Sequence, residues 1–248
     1  MMWDKYLKND IVVQHDGDSG DSCQRTATFI FLNIICGRKD NTLFSKMLFQ
    51  IQSSRGRFRR SNDKNHWGFR PSNCSRDQVS IARIAMAAFN YKKAFVSSYL
   101  QQILRLGFHQ NFLKGTDDVN ERWKMPDIMS PAEISILIRG CNLWILWPLL
   151  FIFDLLRTFD IVFRDDENWD QDNMLSQHIY FSVTKMSTPI AAFNLAFFLK
   201  SNYMSRISNY YSIENNGIPP MIELFKQAES KMKEYLWENF YYVRFLLR

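Results

Sequence analysis

The segment His15-Asp-Gly-Asp-Ser-Gly-Asp-Ser22 puts three carboxylates and two glycines between a short apolar stretch (residues 10–14) and an apolar-rich run from Ser22 to Ile35. Two later pieces carry complementary side chains, Trp67-Gly-Phe-Arg-Pro71 and Ser75-Arg-Asp-Gln78. Carboxylates beside guanidiniums suit a polar, polyhydroxylated or anionic ligand. Arginine grips such a ligand through two parallel hydrogen bonds, and one carboxylate can be tuned as a general acid while another stays ionised. The candidate catalytic residues are Asp16, Asp18 and Asp77. Arg25, Trp67, Arg70 and Arg76 are the candidate substrate-binding residues, Trp67 as a flat platform for a sugar ring. Plainer roles compete. Asp and Ser favour helix starts, Ser75 to Gln78 has the form of a capping box, and Arg70-Pro71 suits a simple turn.

Several familiar motifs come near this segment and fail. Gly17-Asp18-Ser19 after an apolar strand resembles the first block of GDSL-type hydrolases. Those also need a C-terminal Asp-x-x-His, and the only such spacing here is Asp63 to His66. The same letters resemble the nucleophile segment of trypsin-like proteases, whose double β-barrel a helical chain cannot build. An EF-hand loop begun at Asp16 meets Asp21 where glycine is needed and Ala27 where glutamate is needed; one begun at Asp166 meets Gln171 and Gln177. Four dispersed histidines, no CxxC pair, and no Walker, Rossmann or H-E-x-x-H pattern leave no metal or cofactor expected. His15 and His66 flank the candidate pocket, while His178 is expected to be a half-buried helix residue.

The order Asp16-Gly-Asp-Ser19 then Arg25, Arg70-Pro71 and Ser75-Arg-Asp-Gln78 is similar to a group of uncharacterised phage and bacterial helical proteins. The similarity covers the first third of the chain. It implies that Asp16, Asp18, Arg25, Arg70, Arg76 and Asp77 converge in one pocket.

Charge is unevenly spread along the 248 residues, whose formal net charge is +6. Between Lys46 and Arg76 eight basic residues face the single acid Asp63, so this segment accounts for the whole excess. Its centre, Ser53 to Asn62, has turn residues and no helical period, which predicts an exposed loop. Arg55, Arg57, Arg59 and Arg60 there are the candidate contacts for a polyanion. Asp160 to Asp172 is the reverse, six acids against Arg164, and predicts an acidic loop.

The elements that must position these residues are helices. With 21 Phe, 7 Trp and 10 Tyr against 9 Gly and 7 Pro, the chain is poor in turn formers and rich in large side chains. Apolar periodicity predicts helices over Ser22–Ile35, Thr42–Gln52 and Asp77–Tyr91, then one to Leu106. Ser130-Pro-Ala-Glu133 starts a helix expected to kink at Pro148 and to continue to Phe163. Within it the run Leu143–Phe153 is too short to span a bilayer, and Asp154, Arg157 and Asp160 predict one wet stripe on an otherwise buried helix. Ile190–Lys200 and a helix from Pro219-Pro220 complete roughly eight, with irregular connections at 53–74 and 108–129. The expected fold is mainly α, a multi-helix single domain over 1–248, built as a bundle or as an incomplete α/α toroid of paired helices.

Charged residues within Met1–Val13 leave no secretory core segment, so a soluble chain, cytoplasmic or virion-associated, is expected. The first functional expectation is a carbohydrate-active helical domain that cleaves or binds a glycan; as an enzyme it would be a glycoside hydrolase or lyase using acidic residues. The alternative is a non-catalytic virion structural protein whose basic loop contacts nucleic acid or a neighbouring subunit. Richness in Asn, Lys, Phe and Ile, as AT-rich phage genomes encode, accords with a phage source.

Overall fold

The computed structural model describes residues 3–14, 20–69, 74–106, 130–163, 169–201, 203–212 and 217–248. Among these the chain is mainly helical. It forms α1 (Ser22–Ile35), α2 (Asn41–Gln50), α3 (Arg76–Ala88), α4 (Lys92–Leu106), α5 (Pro131–Gly140) and α6 (Trp147–Phe163). α7 (Trp169–Thr184), α8 (Pro189–Lys200), α9 (Tyr203–Tyr210) and α10 (Pro219–Asn239) follow.

The ends of these helices are chemically explicit. Asp40, Ser130 and Thr188 accept the first-turn amides of Leu43, Glu133 and Ala191 at 2.9, 3.3 and 3.0 Å. Pro131 and Pro189 follow two of those caps, where a missing N–H costs nothing. α1 ends at Gly37 in a left-handed conformation, with the Arg38 amide on the Asn33 carbonyl. Asn90 and Asn142 do the same work after α3 and α5, each at positive φ, with the next amide reaching back to Met86 and to Ile138. Asparagine tolerates that conformation, which is how a chain with so few glycines still stops its helices.

The apolar stretch at residues 10–14 supplies a strand, β2 (Ile11–Val12), paired with β1 (Leu7–Lys8) through Asn9 and Asp10 at positive φ, the pairing that tight hairpins favour. Other expectations are corrected. The basic segment is not simply a loop: β3 (Gln52–Ser54) pairs with β4 (Arg57–Phe58), and a 3-10 turn follows over Trp67–Phe69. Gly56 at its tip has φ +78, and a Cβ there would lie 2.4 Å from the Ser98 amide nitrogen, so the hairpin is seated on α4. Pro148 does not kink a long helix. α5 ends at Gly140, a 3-10 turn covers Trp144–Leu146, and Pro148 falls in the first turn of α6. The acidic run lies partly in α6 and partly in α7, with 164–168 outside the described residues. The connection 107–129 is outside them as well.

Packing centres on α1, in which every residue from Ser22 to Asn33 is buried. α1 lies against α3 and α10; α3 packs on α7, α7 on α8, and α8 on α10, a closed circuit of neighbours. One contiguous core cluster reaches from Tyr6 to Val243. α5 braces α3 and α7, and α6 leans on α5 and α8. Here the expected wet stripe holds only at its far end: Asp160 is exposed, Arg157 is half-buried and Asp154 is buried. Asp154 and Leu150 are the buried residues of α6, while Ile152, Leu156, Phe159 and Phe163 face outward.

Candidate functional site

The helix starts of α1 and α3 meet. Asp21 occupies the N-cap position of α1 but does not cap it. Its carboxylate instead accepts from Gln78 Nε2 at 2.9 Å and stands 3.6 Å from Arg25 and 3.9 Å from Arg60. Gln78 also donates to the Gly20 carbonyl at 3.2 Å. Ser75, at the N-cap of α3, makes no cap bond either; its hydroxyl accepts from Arg60 Nη2 at 2.9 Å. The capping box is therefore not closed, because both its ends turn toward residues 20–25 and the arginine of the hairpin. The Cys23 amide donates to the Arg60 carbonyl at 3.0 Å, which supplies one of the acceptors α1 lacks.

Arg25 is buried to 2% exposure, and the same Nη2 that faces Asp21 reaches the Tyr210 hydroxyl at 3.4 Å, tying α1 to α9. Cys23 and Cys74 are both buried and free. A hydrogen bond between the two side chains, followed by burial, pushes the Cys23 thiol up; the charge of Arg60 opposes this and that of Asp77 adds to it. Asp77 lies half-buried in the first turn of α3, between Ser75 and Gln78 in the chain.

Of the residues singled out from sequence, Arg25 and Asp77 are placed at this junction. Asp16, Asp18, Arg70 and Pro71 lie outside the described residues, as does His15. Trp67 opens the 3-10 turn and Arg76 opens α3, but their side chains are also outside what is described. His66 accepts the Gly68 amide through Nδ1 at 2.9 Å, shaping that turn. The four hairpin arginines divide into two pairs. Arg55 and Arg57 are exposed. Arg59 lies 4.9 Å over the Phe69 ring and donates to the Gln50 carbonyl at 2.8 Å, and burial lowers its pKa. Arg60 is the partner of Asp21 and Ser75.

Sequence reasoning missed two buried polar networks that meet on α5. In the first, Arg83 and Glu133 form an ion pair at 2.6 Å with 2% and 0% side-chain exposure. Ser98 and Gln102 satisfy the rest of the guanidinium, and Ser80 and Tyr99 donate to Glu133. In the second, Arg139 pairs with Asp154 at 2.7 Å and also donates to Ser135 and to the Lys185 carbonyl. Thr188 donates to the Asp154 carboxylate, and Asn194 to its backbone carbonyl. A signal existed: Arg83 shares a helical stripe with Val79 and Met86, and Glu133 with Ile136, all of them buried. Charges on an apolar stripe require partners.

His178 is fully buried rather than half-buried, with Nε2 3.3 Å from the Ser135 hydroxyl. Burial, then the charges of Arg157 and Arg139, pull its pKa well down. A hydroxyl beside a neutral imidazole has the form of a nucleophile and base. Both are sealed in the core, however, and Arg139 donates to that hydroxyl, so the pair joins helices rather than meeting a substrate.

Among the described residues no group of three His, Cys, Asp or Glu side chains could hold a metal ion. No described helix is long and apolar enough to cross a membrane. No family model, curated protein or solved structure matches the chain.

Proposed function

We propose that the junction of the α1 and α3 starts binds a polyhydroxylated ligand, and that the chain is a carbohydrate-active domain that cleaves or binds a glycan. One observation carries the reading: Asp21, Arg25, Arg60 and Gln78, from three separated stretches of sequence, gather around a single carboxylate. Asp18 is three residues from Asp21, and such a length of chain spans at most about 11 Å. Arg70 is four residues from Cys74, a reach of at most about 14 Å. The carboxylates of Asp16, Asp18 and Asp77 then serve as acid and nucleophile or base, whose separation sets the stereochemical outcome. Arg25, Arg70 and Arg76 hold the ligand, and Trp67 stacks on a sugar face.

The test is release of reducing ends or unsaturated products from a panel of neutral and acidic bacterial polysaccharides, with a glycan array for binding. Asp18→Asn and Asp77→Asn should each lower turnover by about 100-fold or more while binding persists. A chain that neither cleaves nor retains any glycan ends this reading. The exposed pair Arg55 and Arg57 favours the second reading, a non-catalytic particle protein whose basic hairpin contacts nucleic acid or a neighbouring subunit.

A further inference from the structure

The outward face of α6 carries Leu149, Ile152, Leu156, Phe159 and Phe163, each 41–75% exposed. Their steps alternate three and four residues, the spacing of a helix seam that packs against another helix. The face is continuous at its start with Trp144 and Ile145, the latter 88% exposed. Eleven large apolar side chains between Leu143 and Phe163 stand exposed. At on the order of 100 Å² each, the five seam residues with Trp144 and Ile145 present roughly 700 Å², above the ~300–600 Å² of the largest patch on a typical monomer. That is close to the ~800 Å² that each partner contributes to a standard interface.

We propose that α6 is a homodimer interface, with the same seam of a second copy packed across it in antiparallel fashion. The charge pattern selects this occupant. A helix resting on a lipid surface lines its polar face with lysine and arginine for the headgroups. The cation of α6, Arg157, is mostly buried and bound to Asp160 at 2.7 Å, and the sequence beyond Phe163 runs Arg164-Asp-Asp-Glu167. An acidic end repels an anionic membrane. It also repels its own image, so a two-fold pair keeps the acidic ends apart only when the helices run in opposite directions, which opposes their dipoles as well. This inference is independent of the glycan reading.

Sedimentation velocity on the full chain tests it. At about 50 µM, above a roughly micromolar Kd, the wild type should sediment at twice the 29.5 kDa of one chain. Ile152→Glu and Leu156→Glu replace side chains about half exposed in one copy, so far-UV circular dichroism should be unchanged while Kd rises about 100-fold. Hydrogen exchange of α6 at low and high concentration reads the same face without a substitution, and should slow with concentration. A wild-type monomer, α6 exchange independent of concentration, or a dimer that survives both glutamates overturns the proposal. Flotation of such a monomer with phosphatidylcholine vesicles would give the face to lipid. Failure of Ile152→Cys to react with a thiol reagent in the monomer would give it to another part of the chain.

Discussion

Replacing Glu133 by glutamine removes one charge and almost no volume from one of the two buried ion-pair networks on α5. Arg83 donates to Ser98 Oγ at 3.0 Å, to the Ser98 carbonyl at 3.1 Å and to Glu133 at 2.6 Å, and its Cζ lies 3.8 Å from the Tyr99 ring centre. Glutamine keeps one oxygen, which can stay toward Arg83 and Tyr99, while its amide NH2 replaces the oxygen that Ser80 faced and donates to that hydroxyl, so the pair survives with its direction reversed. The guanidinium, 2% exposed, is left without its counter-charge, and breaking one side of a buried pair costs about 3–5 kcal/mol. Against a total stability of about 5–15 kcal/mol, that is a third or more. Arg83→Met in the Glu133→Gln background should recover about 2 kcal/mol, because the stranded cation is gone. Urea denaturation followed by tryptophan fluorescence and by circular dichroism gives all four corners of the cycle. A Glu133→Gln protein within about 1 kcal/mol of wild type, or a coupling energy near zero, would refute the reasoning.

Burial and the neighbouring arginines hold His178 well below the ordinary 6.5, so the folded protein takes no proton there while the unfolded chain does. Stability from this site is full above pH 6.5 and falls by up to about 1.4 kcal/mol per pH unit below it. His178→Gln should flatten that decline between about pH 6.5 and 5, and equal slopes of the urea midpoint against pH would sink the idea. Cys36 and Cys141, partly exposed, should react with a thiol reagent in the native state, and buried Cys23 and Cys74 only after unfolding. A total below four in unfolded, unreduced protein would contradict free thiols. For any polyanion ligand, Arg55→Gln with Arg57→Gln should lower the salt slope by about 2, whereas Arg60→Gln should chiefly destabilise the α1–α3 junction. An unchanged slope would remove the hairpin from the binding surface.

Helices were legible because apolar spacing and caps are local: Ser130-Pro131 and Thr188-Pro189 start helices where their residue types predict. The helix ends at Asn90 and Asn142 were not, because nothing local marks those asparagines as left-handed rather than helical. Ser75 and Gln78 illustrate a second limit. Their spacing fits a capping box, but Asp21 and Arg60, brought close by tertiary structure, offer charged partners, and charge-assisted bonds are the stronger ones. Arg25 was singled out as a ligand-binding residue; its pairing with Asp21 follows the i,i+4 spacing of a helix start, but its reach to Tyr210 could not be read from spacing.

α6 is the sharpest case, because its sequence holds two stripes with the same helical period. One is apolar, Leu149 through Phe163; the other is charged, Asp154, Arg157 and Asp160. Periodicity identifies both and cannot say which faces the core. The choice is made on α5, where Arg139 is fully enclosed and needs a carboxylate. Among the described residues Asp154 answers it, with Thr188 and Asn194 of the α8 side holding that carboxylate and its backbone in place. Once Asp154 points inward, helix geometry fixes every other residue of α6, and residues five apart from it, Leu149 and Phe159, fall on the outer side. The buried pair thus sets the rotation of the helix, and the rotation exposes the seam. Replacing Arg139 by an apolar residue would remove the reason for Asp154 to stay inside, so the exposed seam and the buried ion pair should be lost together.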